Sequence, residues 1–387
     1  MAAMTRFLHT ADLQVAKPFA SVADAGKRAL LQQERITVIQ RIGDAARTHG
    51  AEFVLVAGDL FDSPGVTKAM VAAACAAIGR IGVPVFSIPG NHDHGGPGAL
   101  WEQSFFQQQR QELAPNLRVL LTAEPIVLPT AVLLPCPLLR RHESADTTAW
   151  LRSLDFAPFG ARPRLVLAHG STQGFAEEEG AVNRLDLPRL PAGEIDYVAL
   201  GDWHGMKEIA PHTWYAGTPE PDRFPKGASN DPGHVLLVTA TRGALPKVEP
   251  VRTARLGWHR LEFSLGEDAD LTQLEAEVES RIGQRAQEDL LELTLGGALG
   301  TAATAHLRQK LEGWDARLLR LKLSQEVRIA PTPDEIAALT QRTADPLISR
   351  VAASLLERTR SSDCAQATLA ATALHALHAV CSEVAAG

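Results

Sequence analysis

The stretch "EFVLVAGDLFD", Glu52 to Asp62, decides the fold. Its five apolar residues, Phe53 to Ala57, are too few for a helix and show no polar alternation, so they read as a strand buried on both faces. Gly58 turns the chain, and Asp59 and Asp62 are handed over at the strand's C-terminal end. The same form recurs in "TRFLHTAD" (5–12), "VPVFSIPGNHD" (83–93), "RLVLAHG" (164–170) and "IDYVALGDWH" (195–204). Each buried run delivers polar residues to a loop, so chemistry is expected at one rim of an α/β sheet. Helical patterns fall between these runs at 26–49, 67–79 and 98–112, while "RVLL", "PIVLPTAVLLP" and "HVLLVTA" predict strands of a second sheet.

Near residue 257 the pattern changes. "WHRLEFSL", "LLELTLGG" and "ARLLRLKL" are strand-like and separated by helical patterns at 270–285 and 301–312, which predicts a small β-α-β-α-β unit. Pro331 and Pro333 end it, and the remainder reads as helices at 334–342, 346–360 and an alanine-rich segment to about Ala385. The expected division is 1–255, 256–328 and 329–387.

With 387 residues, the chain exceeds what one hydrophobic core organises. Its 45% hydrophobic and 21% charged residues are those of a globular protein, and no run reaches the ~18 uninterrupted apolar residues of a membrane span. Arg6, Asp12 and Lys17 interrupt the first twenty residues in a way unlike a secretory leader, so a cytoplasmic location without a membrane is expected. Cys75, Cys136, Cys364 and Cys381 form no Cys-x-x-Cys pair and read as incidental thiols. A net charge of −7 argues against coating nucleic acid through bulk positive charge.

Singly, Asp12 fits a turn former, Asp59 a helix cap, and "GNHDHGG" a glycine-rich loop. Together the strand ends supply Asp12, Asp59, Asn91, His169, Asp202 and His204, all oxygen or imidazole donors of the kind divalent metals take. In order and spacing, Asp12-Leu13-Gln14, Gly58-Asp59-Leu60-Phe61-Asp62, Gly90-Asn91-His92-Asp93, His169-Gly170 and Gly201-Asp202-Trp203-His204 resemble the calcineurin-like metallophosphoesterases, and within them the SbcD-type DNA repair nucleases. "YAGTPEPDRF" (215–224) is similar to the Tyr-x-Gly-Ser/Thr-Pro stretch that follows the last motif in SbcD-type proteins.

The resemblance implies a metallophosphoesterase β-sandwich flanked by helices in four αββα layers, a small α+β capping domain, and a helical C-terminal tail that docks an SbcC-like coiled-coil ATPase. It also implies DNA as substrate, a homodimer and two divalent ions. One ion would take Asp12, Gln14, Asp59 and His204, the other Asp59, Asn91, His169 and Asp202. His92 would protonate the departing oxygen, with Asp62 holding its tautomer. Gln14 and Asp202 stand where the family has histidine, so the set is richer in oxygen and suits Mn²⁺, with Mg²⁺ as the alternative, over Zn²⁺. On the tail, Leu347, Val351, Ala352 and Leu355 form an apolar stripe open to a partner or to the chain's own packing.

The implied activity is metal-dependent exonuclease cleavage, with endonuclease action as an extension. A phosphodiesterase for small nucleotides or other esters shares the same core. A catalytically silent DNA-binding scaffold is the third reading, motivated by Gln14 and Asp202. "LLRRHE" (138–143) reads as a solvated charged turn, with contact to DNA phosphates as the alternative, the acidic "FAEEEGAVNR" (175–184) as a solvated loop near the rim, and Trp203 as packing.

Overall fold

The computed structural model describes residues 3–172, 182–224, 230–283 and 287–386. The chain forms two compact units, Met1–Leu256 and Gly257–Gly387. Residues 173–181, which hold most of the acidic stretch, lie outside the described residues.

In the first unit, Phe53–Ala57 is buried along its whole length, and the strand alternation shows why. Phe53, Leu55 and Ala57 point into the space between two sheets, while Val54 and Val56 face helices on the outside. One six-stranded sheet runs Lys247–Arg252, His234–Thr241, Met4–Thr10, Phe53–Ala57, Val85–Ile88, Leu117–Val119. The other runs Lys207–Ala210, Thr213–Tyr215, Tyr197–Gly201, Arg164–His169, Val132–Cys136, Ile126–Val127. Between them Phe7 stacks on Phe53 at 5.1 Å and meets Tyr197 edge-on at 5.6 Å.

Of the strands predicted for the second sheet, only those in "PIVLPTAVLLP" belong there. His234–Thr241 instead pairs antiparallel with Met4–Thr10, and Leu117–Val119 adds to Val85–Ile88. Strand character is local, whereas the partner is settled by which core the inward side chains fill, here Leu236 and Val238 beside Phe7.

Helices Ala25–His49, Lys68–Gly79 and Ser104–Leu113 cover the first sheet. Asp24 caps the first by accepting from the Lys27 amide at 2.8 Å, and Gly50 ends it in the left-handed region, φ 63°. The third helix starts later than its pattern predicts, because Gln103 is extended after the 3₁₀ turn Leu100–Glu102. On the second sheet the flanking layer is built from the 3₁₀ turns Ala149–Ser153, Ala157–Phe159 and Leu187–Arg189, whose Leu151, Phe159 and Leu187 close the outer core. Pro158 and Pro188 sit in the first turn of two of these elements, where the missing N–H costs no helical bond.

Arg35 ties the covering helix to the rim. Its buried guanidinium donates to the carbonyls of Leu13 (2.8 Å), Asp12 (3.0 Å) and Glu220, and to Thr218 Oγ1 at 2.9 Å. Buried Glu220 accepts from Arg41 (2.7 Å) and from the amides of Arg255 and Leu256.

The second unit holds three parallel strands, Gly257–Leu265, Asp289–Leu299 and Arg320–Ile329, with helices Asp270–Ile282 and Thr301–Arg317. Leu274, Val278, Leu293, Leu307 and Trp314 fill its core, and Glu292 bridges Arg260 and Lys322 across the strands. Helices Pro333–Thr340, Pro346–Arg358 and Cys364–Ala386 follow, with a separate small cluster of Leu339, Ala352 and Leu374. Thr332 and Glu335 form a capping box at the first of them. The apolar stripe divides: Ala352 and Leu355 join this cluster, while Leu347 and Val351 are exposed at 75% and 42%. By length and composition alone, Cys364–Cys381 suffices to cross a membrane, although Gln366, Thr368, Thr372, His375 and His378 interrupt it.

Replacing Arg35 with Met would strand four acceptors in the interior. Arg35→Met should cost about 3 kcal/mol in urea unfolding, and Arg35→Lys somewhat less.

Candidate metal centre

The strand ends converge. Asp12, Gln14 and His169 are fully buried and Asp59 is 1% exposed. Ligand atoms of Asp12, Asp59 and His169 lie within 4.8 Å of one another. His169 Nε2 is 2.9 Å from Asn91 Oδ1, 3.7 Å from Asp59 Oδ2 and 3.8 Å from Asp202 Oδ1. Asp12 accepts the Asp202 amide at 3.2 Å, and Gln14 Nε2 is 3.4 Å from His204 Nε2. All seven residues predicted as ligands thus meet at one rim, with Asp12 grouped beside His169 as well as Asp59.

The backbone accepts strain to do this. Asp12, Gln14, Asp59 and Asp202 all have positive φ, at 52°, 44°, 54° and 103°. The Asp12 amide donates to the Gly58 carbonyl and the Gln14 amide to the Asp59 carbonyl, locking the two loops together. Glycine is required where they touch. A Cβ on Gly58 would stand 2.2 Å from His169 Nδ1, and one on Gly90 would stand 2.1 Å from Asp59 Oδ1.

Electrostatics show what the cluster lacks. Burial pushes the Asp12 carboxyl up to about 6, with His204 and His169 opposing and Asp59 and Asp202 adding. Burial works against the charged form of His169, yet Asp59, Asp12 and Asp202 carry it up to about 9. Among the described residues no Lys or Arg pairs with these three carboxylates, so the interior asks for a cation. A divalent ion fits the donor set, and the Ala57 carbonyl, 2.8 Å from His169 Nδ1, takes that ring's proton and leaves Nε2 facing the cluster.

Several partners were not foreseen. Asp93 accepts from the Gly90 amide (2.7 Å) and the Phe61 amide (3.0 Å), which staples the Asn91 loop to the Asp59 loop. Burial, then Asp59, raises its carboxyl to about 7. Asp222, inside "YAGTPEPDRF", accepts from His204 Nδ1 at 3.1 Å and Lys17 at 2.9 Å. Its carboxyl is held well below the usual range because His204, Lys17 and Arg223 outweigh burial. Lys17 also reaches Gln14 Oε1 at 2.7 Å and Asp62 at 3.3 Å.

His92 sits beside Asp59, whose Oδ1 accepts its amide at 2.9 Å. The expected partner for its ring was the Asp62 side chain. Instead the Asp62 backbone carbonyl accepts from Nδ1 at 2.8 Å, because the carboxylate is turned to Lys17. The tautomer is set all the same, with Nε2 open and 4.0 Å from Asp59 Oδ2. Arg140, Arg141 and His142 are exposed, and Trp203 packs on the outer core under Lys207.

Residues 5–206, just over half the chain, match the calcineurin-like phosphoesterase family. The chain belongs to that family. As a calcineurin-like phosphoesterase it is a hydrolase of phosphate esters, and the family works with divalent ions. The chain is also similar to the SbcD subunit of the SbcCD nuclease from Escherichia coli strain K12 and from E. coli O157:H7, 25% identical to each over 285 residues, covering 63% of this chain and 67% of theirs. The crystal structure of TT1561 of Thermus thermophilus is 12% identical, with a TM-score of 0.41, over 65% of this chain and 99% of that one.

The Asp12 proton stabilises the cation-free fold at low pH, and this contribution is lost as pH rises toward about 6. A divalent ion should restore it, so Mn²⁺ should raise the melting temperature more at about pH 7.5 than at about pH 5, and Asp59→Asn should abolish the gain. Gly90→Ala, by displacing Asp59, should weaken Mn²⁺ at least about tenfold in calorimetric titration.

Proposed function

We propose that this phosphoesterase is a divalent-cation-dependent DNA nuclease, working as the nuclease subunit beside a coiled-coil ATPase and a second copy of itself. The observation that carries this reading is the match to the nuclease subunit, which extends over a larger share of the chain than the family domain does. The oxygen-rich donor set favours Mn²⁺, then Mg²⁺. Asp12, Asp59, Asn91, His169 and Asp202 would hold the cation, which when bound acidifies water and draws charge from a phosphoryl oxygen.

The chain's own residues supply the rest. The fixed tautomer of His92 leaves Nε2 open at the cluster, where its protonated form can give a proton to the leaving oxygen. The bond formed is between water oxygen and phosphorus, the bond broken is between phosphorus and the ester oxygen, and the proton from His92 completes the departing hydroxyl. Arg223, 53% exposed beside Asp222, would meet a backbone phosphate. Leu347 and Val351, exposed on Pro346–Arg358, suit an apolar contact with the ATPase.

End-labelled duplex and hairpin DNA should be cut with Mn²⁺ and not with EDTA. Asp59→Ala should remove cleavage, and His92→Ala should lower it by about 10²–10⁴-fold. Turnover of a chromogenic phosphodiester without DNA cleavage, even with the ATPase and ATP present, would instead favour a small-ester phosphodiesterase.

A further inference from the structure

Gln14 does not face the cluster as a ligand. Lys17 Nζ lies 2.7 Å from the Gln14 side chain, and an ammonium can only donate, so the amide atom it meets is the oxygen. The amide nitrogen is thereby turned to His204 Nε2, at 3.4 Å. Asp222 Oδ1, 3.1 Å from His204 Nδ1, accepts that ring's proton, so the lone pair of His204 is on Nε2 and accepts from Gln14. Asp222 Oδ2 returns to Lys17 at 2.9 Å and closes the circle. Lys17, Gln14, His204 and Asp222 thus form a closed ring of polar contacts.

Charge separates this ring from the carboxylates beside it. Lys17 and Arg223 face Asp62 and Asp222, two positive groups against two negative ones. Arg223 Nη2 is also 3.1 Å from each ring nitrogen of His204. Among the described ion pairs, Asp59 and Asp202 meet only the histidines His169 and His92, and Asp12 meets none. A second cation at the Gln14 end would meet a ring whose charges already balance and would have to share Asp12 and Asp59 with the first. It would also need the amide reversed, which sets the Gln14 NH₂ against the Lys17 ammonium.

We propose that Gln14, held by Lys17 and Asp222, plugs the second position, and that the centre holds one tightly bound divalent ion among Asp12, Asp59, Asn91, His169 and Asp202. His204 then serves as a positioning residue within the ring. The inference rests on the cation-dependent reading above, and its test keeps the two apart.

Chelator-stripped protein would be titrated with Mn²⁺ by calorimetry, with bound metal counted after desalting and its paramagnetic resonance recorded. The wild type should take up one ion per chain, with the signal of an isolated Mn²⁺. Lys17→Met/Gln14→His, which removes the ammonium and supplies a lone pair, should take up two. Its second ion should bind at least about tenfold more tightly than any second ion in the wild type, with the signal of an exchange-coupled pair. Two coupled ions in the wild type would overturn the plug and leave the cation-dependent reading standing. No bound ion would overturn both.

Discussion

Negative charge gathered where water is excluded is the constraint around which the first unit is organised. Asp12 and Asp59 are buried and Asp202 stands beside them, and among the described residues no lysine or arginine pairs with any of the three. Buried carboxylates in that state are costly unless a cation or protons compensate them. Their strained backbone adds to the cost, with positive φ at all three. A core that stacks Phe7 on Phe53 and buries whole strands supplies the stability such a site draws on.

Rigidity comes from groups outside the carboxylate cluster. Arg35 holds the carbonyls of Asp12 and Leu13 from a covering helix, and Asp93 joins the Asn91 and Asp59 loops. Asp222 orients His204 from a loop that Thr218 and Glu220 connect to the same arginine. These contacts span large distances in the chain, so one hydrogen-bonded frame fixes side chains from five segments. A buried arginine suits this role because its planar fork can serve several carbonyls while keeping its charge.

Gln14 shows how neighbours change the meaning of a residue type. As an amide at a ligand position it offers oxygen to a metal, which is what its place in the motif suggests. Beside Lys17 it offers that oxygen to an ammonium and its nitrogen to His204. His92 makes the complementary point, since its tautomer is set by the Asp62 carbonyl while the Asp62 carboxylate serves Lys17.

That these polar residues would gather at one rim was legible in the sequence, because buried strands that end in glycine and a polar group deliver that group to a rim, and five such endings recur in order. The helices over the first sheet were legible too, from period and caps such as Asp24 and Gly50. Strand partnership was not: "HVLLVTA" declares a strand, yet only the fit of Leu236 and Val238 against Phe7 places it beside Met4–Thr10. Nor were Arg35, Lys17 and Asp222 legible as site residues, since a lone charge carries no local periodicity and its partners lie far away in the chain, Asp222 for Lys17 and Glu220 for Arg35. The sequence by itself determined which chemical groups this protein presents and at which strand ends. The tertiary structure alone decided which of those groups gather in the carboxylate cluster and which are spent on one another, because hydrogen bonds and charge pairs are settled by distance in space.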